Sequence, residues 1–414
     1  MKSKALRMYG KNDLRLEEFP LPPLGREEIL VEVVCNSVCM SDYKAAILGS
    51  EHKKVPKDIG QNPVIIGHEL SGRVCEVGRY WQDRYEPGER VCVQPAFDPE
   101  NRNKVPGYSY HYFGGNATFV IVPGEIIHAG CLLTFEGPYY FGSLAEPLSC
   151  IIGAFHAQYH RRRGTYAHEM GIKSGGAAAI LGGAGPMGLG AVGYALFGPV
   201  QPRVLCVTDT DRARLARLEE RYPRSLARDR GVSLETVWAP ADTRRLMQYA
   251  PQGYDDVFVM GASKEMVRQA DEMLGEDGCL NFFAGPTQQD FSAPLNFYRV
   301  HYYGTHIAGT SGGNREDMQE ALELMQGGLW DPSCMVTHIG GLSYSAETTL
   351  SLPFLPGGKK LLYMRKDMPC IPIDEMAASP EVYGEALSRV LHRNRNTWSA
   401  QAEEIFLKHP GEWL

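Results

Sequence analysis

A thiol, a hydroxyl, an imidazole and a carboxylate stand close together early in this chain, as Cys39, Ser41, His68 and Glu69. Thiolate, imidazole and carboxylate are zinc-compatible ligands, and Glu146 offers a further oxygen. Three protein ligands with one exchangeable position is the arrangement of a catalytic zinc, whereas a structural zinc is closed by four. Each residue also has a plainer reading: a buried thiol, a satisfied core histidine, a carboxylate at a helix start. Spacing alone leaves both readings open.

A second constellation lies in mid-chain. Residues 177–181 are apolar and run into Gly182-Gly183-Ala184-Gly185-Pro186-Met187-Gly188, followed by a further apolar run. Gly183, Gly185 and Gly188 fit G-x-G-x-x-G between a strand and a helix. There the first glycine permits a tight turn, the second lets backbone approach a pyrophosphate and the third lets helix pack on strand. The helix amino terminus adds free N–H groups and a positive dipole end. A second apolar strand ends at Asp209, 21 residues past Gly188, where a ribose-binding acid belongs. Asp209 favours NAD. Arg212 and Arg214 follow closely enough to admit the 2′-phosphate of NADP, although they also read as the solvated face of a helix.

These groups need rigid elements to hold them. Residues 29–34, 71–77, 90–94 and 118–122 are rich in β-branched residues and bounded by Pro and Gly, which predicts a β-rich, barrel-like first domain. From Leu144 the texture turns helical, with Pro147 suited to a first helical turn. Residues 161–176 read as a polar loop. Beyond the glycine turn, a helix over 212–221 and strands over 256–260 and 278–283 alternate as a parallel doubly wound sheet does. A helix over 316–325, a returning strand over 357–363 and a largely helical tail from about residue 365 complete the chain.

At 414 residues with 42 basic and 49 acidic side chains, net −7, the chain has room for two or three domains and no global field favouring nucleic acid or an anionic membrane. The ten cysteines show no C-x-x-C pair, which suits a reducing cytoplasm. Neither a signal core nor an apolar run of membrane-spanning length is expected.

Taken in order, Cys39-x-Ser41-Asp42, Gly67-His68-Glu69-x-x-Gly72, residues 87–91, Gly114-Gly115, Glu146-Pro147-Leu148, the glycine turn and residues 309–313 resemble the zinc-dependent medium-chain alcohol and polyol dehydrogenases, over roughly residues 1–365. The resemblance implies an α/β protein with a GroES-like β-rich catalytic domain (1–155) plus a Rossmann doubly wound parallel-sheet domain (156–310). Residues 311–414 would return to the catalytic domain and add a helical extension. It implies one catalytic zinc on Cys39, His68 and Glu69, with Glu146 on the metal or its water. Ser41 would open a proton relay, Met187 would back the nicotinamide, and Gly183, Gly185, Pro186, Gly188 and Asp209 would bind NAD, with NADP admitted. Family members commonly form dimers or tetramers, so a homo-oligomer is expected.

A narrower likeness rests on residues 146–156 and 168–172, the chain length and the tail. It points to bacterial members that interconvert L-sorbose 1-phosphate and D-glucitol 6-phosphate. Three departures bear on this. Residues 92–131 hold only Cys92 and Cys131, where many relatives carry a four-cysteine structural zinc. Asn116-Ala117-Thr118 replaces a segment that often holds an aromatic residue and a glutamate. Lys44 stands where many relatives have the histidine that ends the relay. Lys44 is also the first cation to consider for a substrate phosphate, with His52, Lys53, Lys54 and Lys57 next. The expected activity is hydride transfer between NAD(P)H and the ketone of a ketose phosphate. The alternatives are a zinc dehydrogenase of an unphosphorylated polyol or secondary alcohol, and a non-catalytic nucleotide-binding protein on the same fold.

Overall fold

The computed structural model describes residues 1–96, 104–240 and 242–409. They form two compact units, one of the described residues within 1–146, 314–326 and 331–409, the other of those within 147–313 and 327–330. The first passage between them falls after Glu146, inside the helix Tyr139–His156, next to the change of texture from Leu144 and ahead of the bound at residue 155 that the resemblance implied.

The first unit is built on the strand Ile29–Ser37, whose β-branched run is buried along most of its length. It pairs antiparallel with Glu69–Val77, Phe119–Val122 and Lys359–Tyr363. The eight-stranded sheet runs Ile371–Pro372, Val336–Gly341, Lys359–Tyr363, Ile29–Ser37, Glu69–Val77, Arg90–Val93, Leu132–Phe135, with Phe119–Val122 pairing Ile29–Ser37 off this path. Its central strand needs partners from both ends of the chain, so this unit cannot close without the residues that follow the second unit. Ser37 pairs with Glu69 on one side and Leu361 on the other. One end of the sheet therefore collects Cys39, just past the central strand, with His68-Glu69 and Lys359, which open its two neighbours.

The second unit holds six parallel strands in the order Ser233–Trp238, Val204–Asp209, Ala177–Leu181, Tyr254–Val259, Leu274–Phe282, His306–Gly309. That is the doubly wound order, reversing direction beside Ala177–Leu181, the strand that feeds the glycine turn. This sheet and the β-rich first unit are the α/β architecture expected from the sequence.

Three local expectations are corrected. Residues 161–176 are not all loop, because Tyr159–Arg161 pairs antiparallel with His168–Met170. The second of these strands is exposed throughout, so no alternating apolar pattern marks it. The helix expected near Pro147 starts at Tyr139, leaving Pro147 inside it. Its start is fixed from far away: Glu403 accepts the Tyr139 and Tyr140 N–H groups at 2.6 and 2.9 Å, a cap invisible to local sequence. Finally, a paired strand of the first unit, Lys2–Gly10 with Asp13–Pro20, stands where no strand was expected.

The tail packs within the first unit as helices that include Glu385–Arg393 and Ala400–Lys408. Trp398, Phe406 and Tyr363 meet edge to face or tilted, with ring centroids 5.1 to 5.9 Å apart, and the Tyr363 hydroxyl donates to Glu403 at 2.7 Å.

Candidate active site

Asp42 lies in the first turn of the helix Met40–Leu48, which Cys39 begins. Its Oδ2 accepts the Cys39 N–H at 3.1 Å, and its Oδ1 lies 2.8 Å from His68 Nδ1. One fully buried carboxylate thus caps the helix and fixes the imidazole. With Nδ1–H directed at Asp42, Nε2 keeps its lone pair for a metal. Gly107, at φ 77°, approaches Gly67 so closely that a Cβ would stand 2.2 Å from the Gly67 carbonyl oxygen. This close approach seats Tyr108 on His68, with its hydroxyl 2.8 Å from Nδ1.

Among the described residues, Cys39, His68 and Glu69 form a group whose ligand atoms all lie within 4.8 Å of one another. A thiolate, a neutral imidazole and a carboxylate in that space fit a zinc ion. Ser41 Oγ donates to Cys39 Sγ at 3.0 Å and lies 3.5 Å from His68 Nε2, which places a hydroxyl beside the ligand atoms. Burial opposes charge on His68, yet Asp42 and Cys39 carry its pKa well above the ordinary histidine range. The surroundings favour a cation.

Sequence reasoning missed the partner of Glu69. Lys359 Nζ meets both Glu69 carboxylate oxygens at 2.5 Å, in a pair whose side chains are 7% and 1% exposed. Burial lowers the Lys359 pKa, but Glu69, Cys39 and Glu146 together raise it on balance. Glu146 is buried about two turns into its helix, and its charge also acts to raise the pKa of Tyr108 and Lys54. Lys44 lies three residues after Ser41 on one helix and acts on His52. The residue pattern could have hinted only at Asp42, three residues after Cys39. Lys359 lies 290 residues from Glu69, and only the sheet pairing joins them.

In the second unit the glycine turn sorts its glycines by what surrounds them. The left-handed residue is Gly182, at φ 72°, one position before the expected tight turn. A Cβ at Gly183 would strike Val207 and Ile180 at 2.6 and 2.7 Å, and one at Gly188 would strike the Gly183 carbonyl oxygen at 2.2 Å. Gly185 is different: its nearest neighbour would be Arg214 Nη1, 3.9 Å away. Its missing side chain serves an open space in front of the helix Pro186–Phe197, where Pro186 opens the first turn and Met187 is half-buried. That is a cradle a pyrophosphate fits. Asp209 accepts the Ala184 N–H and the Asp211 N–H, both at 3.0 Å, tying the turn to the next strand. A carboxylate has lone pairs left for ribose hydroxyls. Arg212 stacks over Trp238, 4.2 Å from the ring centroid, and Arg214 pairs with Asp211 at 3.5 Å.

Residues 25–130 match the model of the alcohol dehydrogenase GroES-like domain. The chain is 47% identical over 406 residues to L-sorbose 1-phosphate reductase of Klebsiella pneumoniae, covering 98% of this chain and 97% of that one. It is 48% identical to mannitol-1-phosphate 5-dehydrogenase of Aliivibrio fischeri, covering 96% of each. The fold is similar to that of 2R,3R-butanediol dehydrogenase from Bacillus subtilis, with TM-score 0.69 and 21% identity over 87% of this chain and 99% of that one. The chain is an enzyme of oxidoreductase type, and it belongs to the zinc-dependent medium-chain dehydrogenase/reductase family of alcohol and polyol dehydrogenases.

Proposed function

We propose that this enzyme transfers a hydride between a nicotinamide cofactor and the ketone of a ketose phosphate, with L-sorbose 1-phosphate and D-glucitol 6-phosphate as the first pair to test. The carrying observation is the meeting of Cys39, His68 and Glu69 in a chain matched almost end to end by relatives named for sugar and polyol phosphates. When bound, zinc would supply Lewis acidity at the carbonyl oxygen and the nicotinamide the hydride. Cys39, His68 and Glu69 hold the metal, Asp42 keeps His68 Nε2 available to it, and Lys359 fixes Glu69. Glu146 borders the exchangeable position, as a ligand or as a partner of bound water. Ser41 moves a proton between the substrate oxygen and solvent.

The backbone at Gly183, Gly185, Pro186 and Gly188 receives the pyrophosphate, Met187 backs the nicotinamide, and Asp209 takes ribose hydroxyls. Arg212 and Arg214 are engaged by Trp238 and Asp211, which supports NAD over NADP. The ten free thiols suit a reducing cytoplasm. A homo-oligomer is supported by the apolar surface along the edge strand of the second unit.

The two phosphate-named relatives separate two chemistries. In L-sorbose 1-phosphate the ketone adjoins the phosphorylated carbon, whereas a 5-dehydrogenase of mannitol 1-phosphate acts at the far end of the chain. The test is a panel of L-sorbose 1-phosphate, mannitol 1-phosphate and their unphosphorylated forms with NADH/NAD and NADPH/NADP. Higher kcat/KM on L-sorbose 1-phosphate with NADH supports the proposal. Equal efficiency with and without phosphate would replace it by a plain polyol dehydrogenase.

A further inference from the structure

The segment after the helix Met40–Leu48 folds back against the candidate metal site. Val55 and Ile59 are buried in one cluster with Ala45 and Tyr108. The His52 ring lies 5.7 Å from the Tyr108 ring, which lies 5.1 Å from His68. Ser109 Oγ donates to the Lys54 carbonyl at 2.7 Å, and the Lys54 N–H donates to His52 Nδ1 at 3.3 Å. A continuous packed path thus leads from a metal ligand through Tyr108 to His52 and Lys54. Because Nδ1 of His52 accepts, its Nε2 carries the hydrogen and is a donor.

The charges that act on His52 are all cations, whereas Asp42, Cys39 and Glu146 act on the inner end of the path at Tyr108. Burial lowers the pKa of His52, and Lys54, Lys53 and Lys44 lower it further. Burial also lowers Lys54, with Lys53 adding and Glu146 opposing. Cations held together and half-buried repel one another and lose hydration, a cost that a doubly charged anion removes. The structure also sorts the lysines that sequence left equivalent. Lys53 and Lys57 are exposed, whereas Lys44 and Lys54 are half-buried.

We propose that Lys44, Lys54 and His52 form the phosphate subsite of this enzyme, binding the phosphomonoester dianion of a sugar or polyol phosphate whose reacting carbon lies at Cys39, His68 and Glu69. The identity of the substrate rests on the function proposed above; the anion site itself does not. Ammonium groups and an imidazole N–H give charge-assisted hydrogen bonds to phosphate oxygens.

The experiment compares full-length, zinc-loaded wild type with Lys54→Met, Lys44→Met and His52→Gln, using L-sorbose 1-phosphate, L-sorbose and inorganic phosphate as an inhibitor. Lys54→Gln and the melting temperature of each variant separate loss of fold from loss of binding. The ratio of kcat/KM on phosphorylated to unphosphorylated substrate should fall about 10- to 100-fold in each variant, through KM. Competitive inhibition by inorganic phosphate should weaken by at least about tenfold alongside it, and Lys54→Arg should restore much of both. Unchanged ratios together with unchanged phosphate inhibition in folded variants would overturn the subsite. If the wild type shows no preference for phosphorylated substrate, the functional proposal fails, and inhibition by inorganic phosphate still decides the anion site.

Discussion

Lys359 and Glu69 form a buried ion pair at the candidate metal site, and such pairs cost most when one partner is removed. Lys359→Met leaves an uncompensated carboxylate, so metal-free protein should lose about 3–5 kcal/mol of stability. Zinc bound at Cys39, His68 and Glu69 would neutralise that carboxylate, so the gap between metal-free and zinc-loaded stability should widen in the variant. Denaturant titrations with and without zinc measure this; an equal loss in both states would show that Glu69 does not serve the metal. Asp42→Asn removes the acceptor that orients His68, and zinc affinity should drop about 10- to 100-fold. A competition titration with a chromogenic chelator gives the number, and undiminished affinity would detach Asp42 from the site. The meeting of Cys39, His68 and Glu69 was legible in the sequence because Cys39-x-Ser41-Asp42 and Gly67-His68-Glu69 are local patterns of a known family. Lys359 and Tyr108 were not, since a lysine in a strand and a tyrosine in a loop acquire meaning only through partners 290 and 40 residues away.

At the scale of elements, the long helix that carries Glu146 is capped by a carboxylate from the tail. Burial pushes the Glu403 pKa up to about 7, against the hydrogen bonds that lower it. A carboxyl whose folded pKa exceeds its unfolded value makes the folded state bind the extra proton. Stability then falls as pH rises from about 4.5 toward about 7 and levels above, with a slope of at most about 1.4 kcal/mol per pH unit. Glu403→Gln cannot titrate and turns a donor toward one capped N–H. Its stability relative to wild type should therefore be lowest at pH 5 and recover toward pH 8. Parallel curves for the two proteins would contradict the assignment. The glycine turn gives a second test. Gly185→Ala meets open space, so the melting temperature should hold while KM for the cofactor rises at least about tenfold, as backbone loses its approach to the pyrophosphate. Gly188→Ala should instead destabilise the unit. If both behave alike, Gly185 does not face the cofactor. The strand, turn and acid of this unit were readable because its βαβ order is local, whereas the cap on the long helix comes from more than 260 residues away.

Over the whole molecule, the β-rich and doubly wound fold classes followed from the change of texture along the chain. The return of Lys359–Tyr363 to the central sheet of the first unit was readable as a strand, and its neighbours were not. The edge strand His306–Gly309 and the helix Phe297–Tyr302 leave apolar and aromatic surface exposed, with Phe297 73% and Tyr302 66% accessible. An unpaired edge beside such a patch is a surface for a second copy. Light scattering should give a dimer or larger species, and Phe297→Asp with Tyr302→Asp should shift it toward monomer. A monomeric wild type would remove this assignment.

Under the proposed function, metal held by Cys39, His68 and Glu69 would drive reduction of a ketose phosphate. That role is tested most directly by NADH-dependent turnover of L-sorbose 1-phosphate before chelation, after chelation and after zinc is restored. Turnover that is lost with the metal and regained with one zinc per chain is the expected result. Turnover that persists in metal-free protein, or is absent from zinc-loaded protein with both NADH and NADPH, would contradict it.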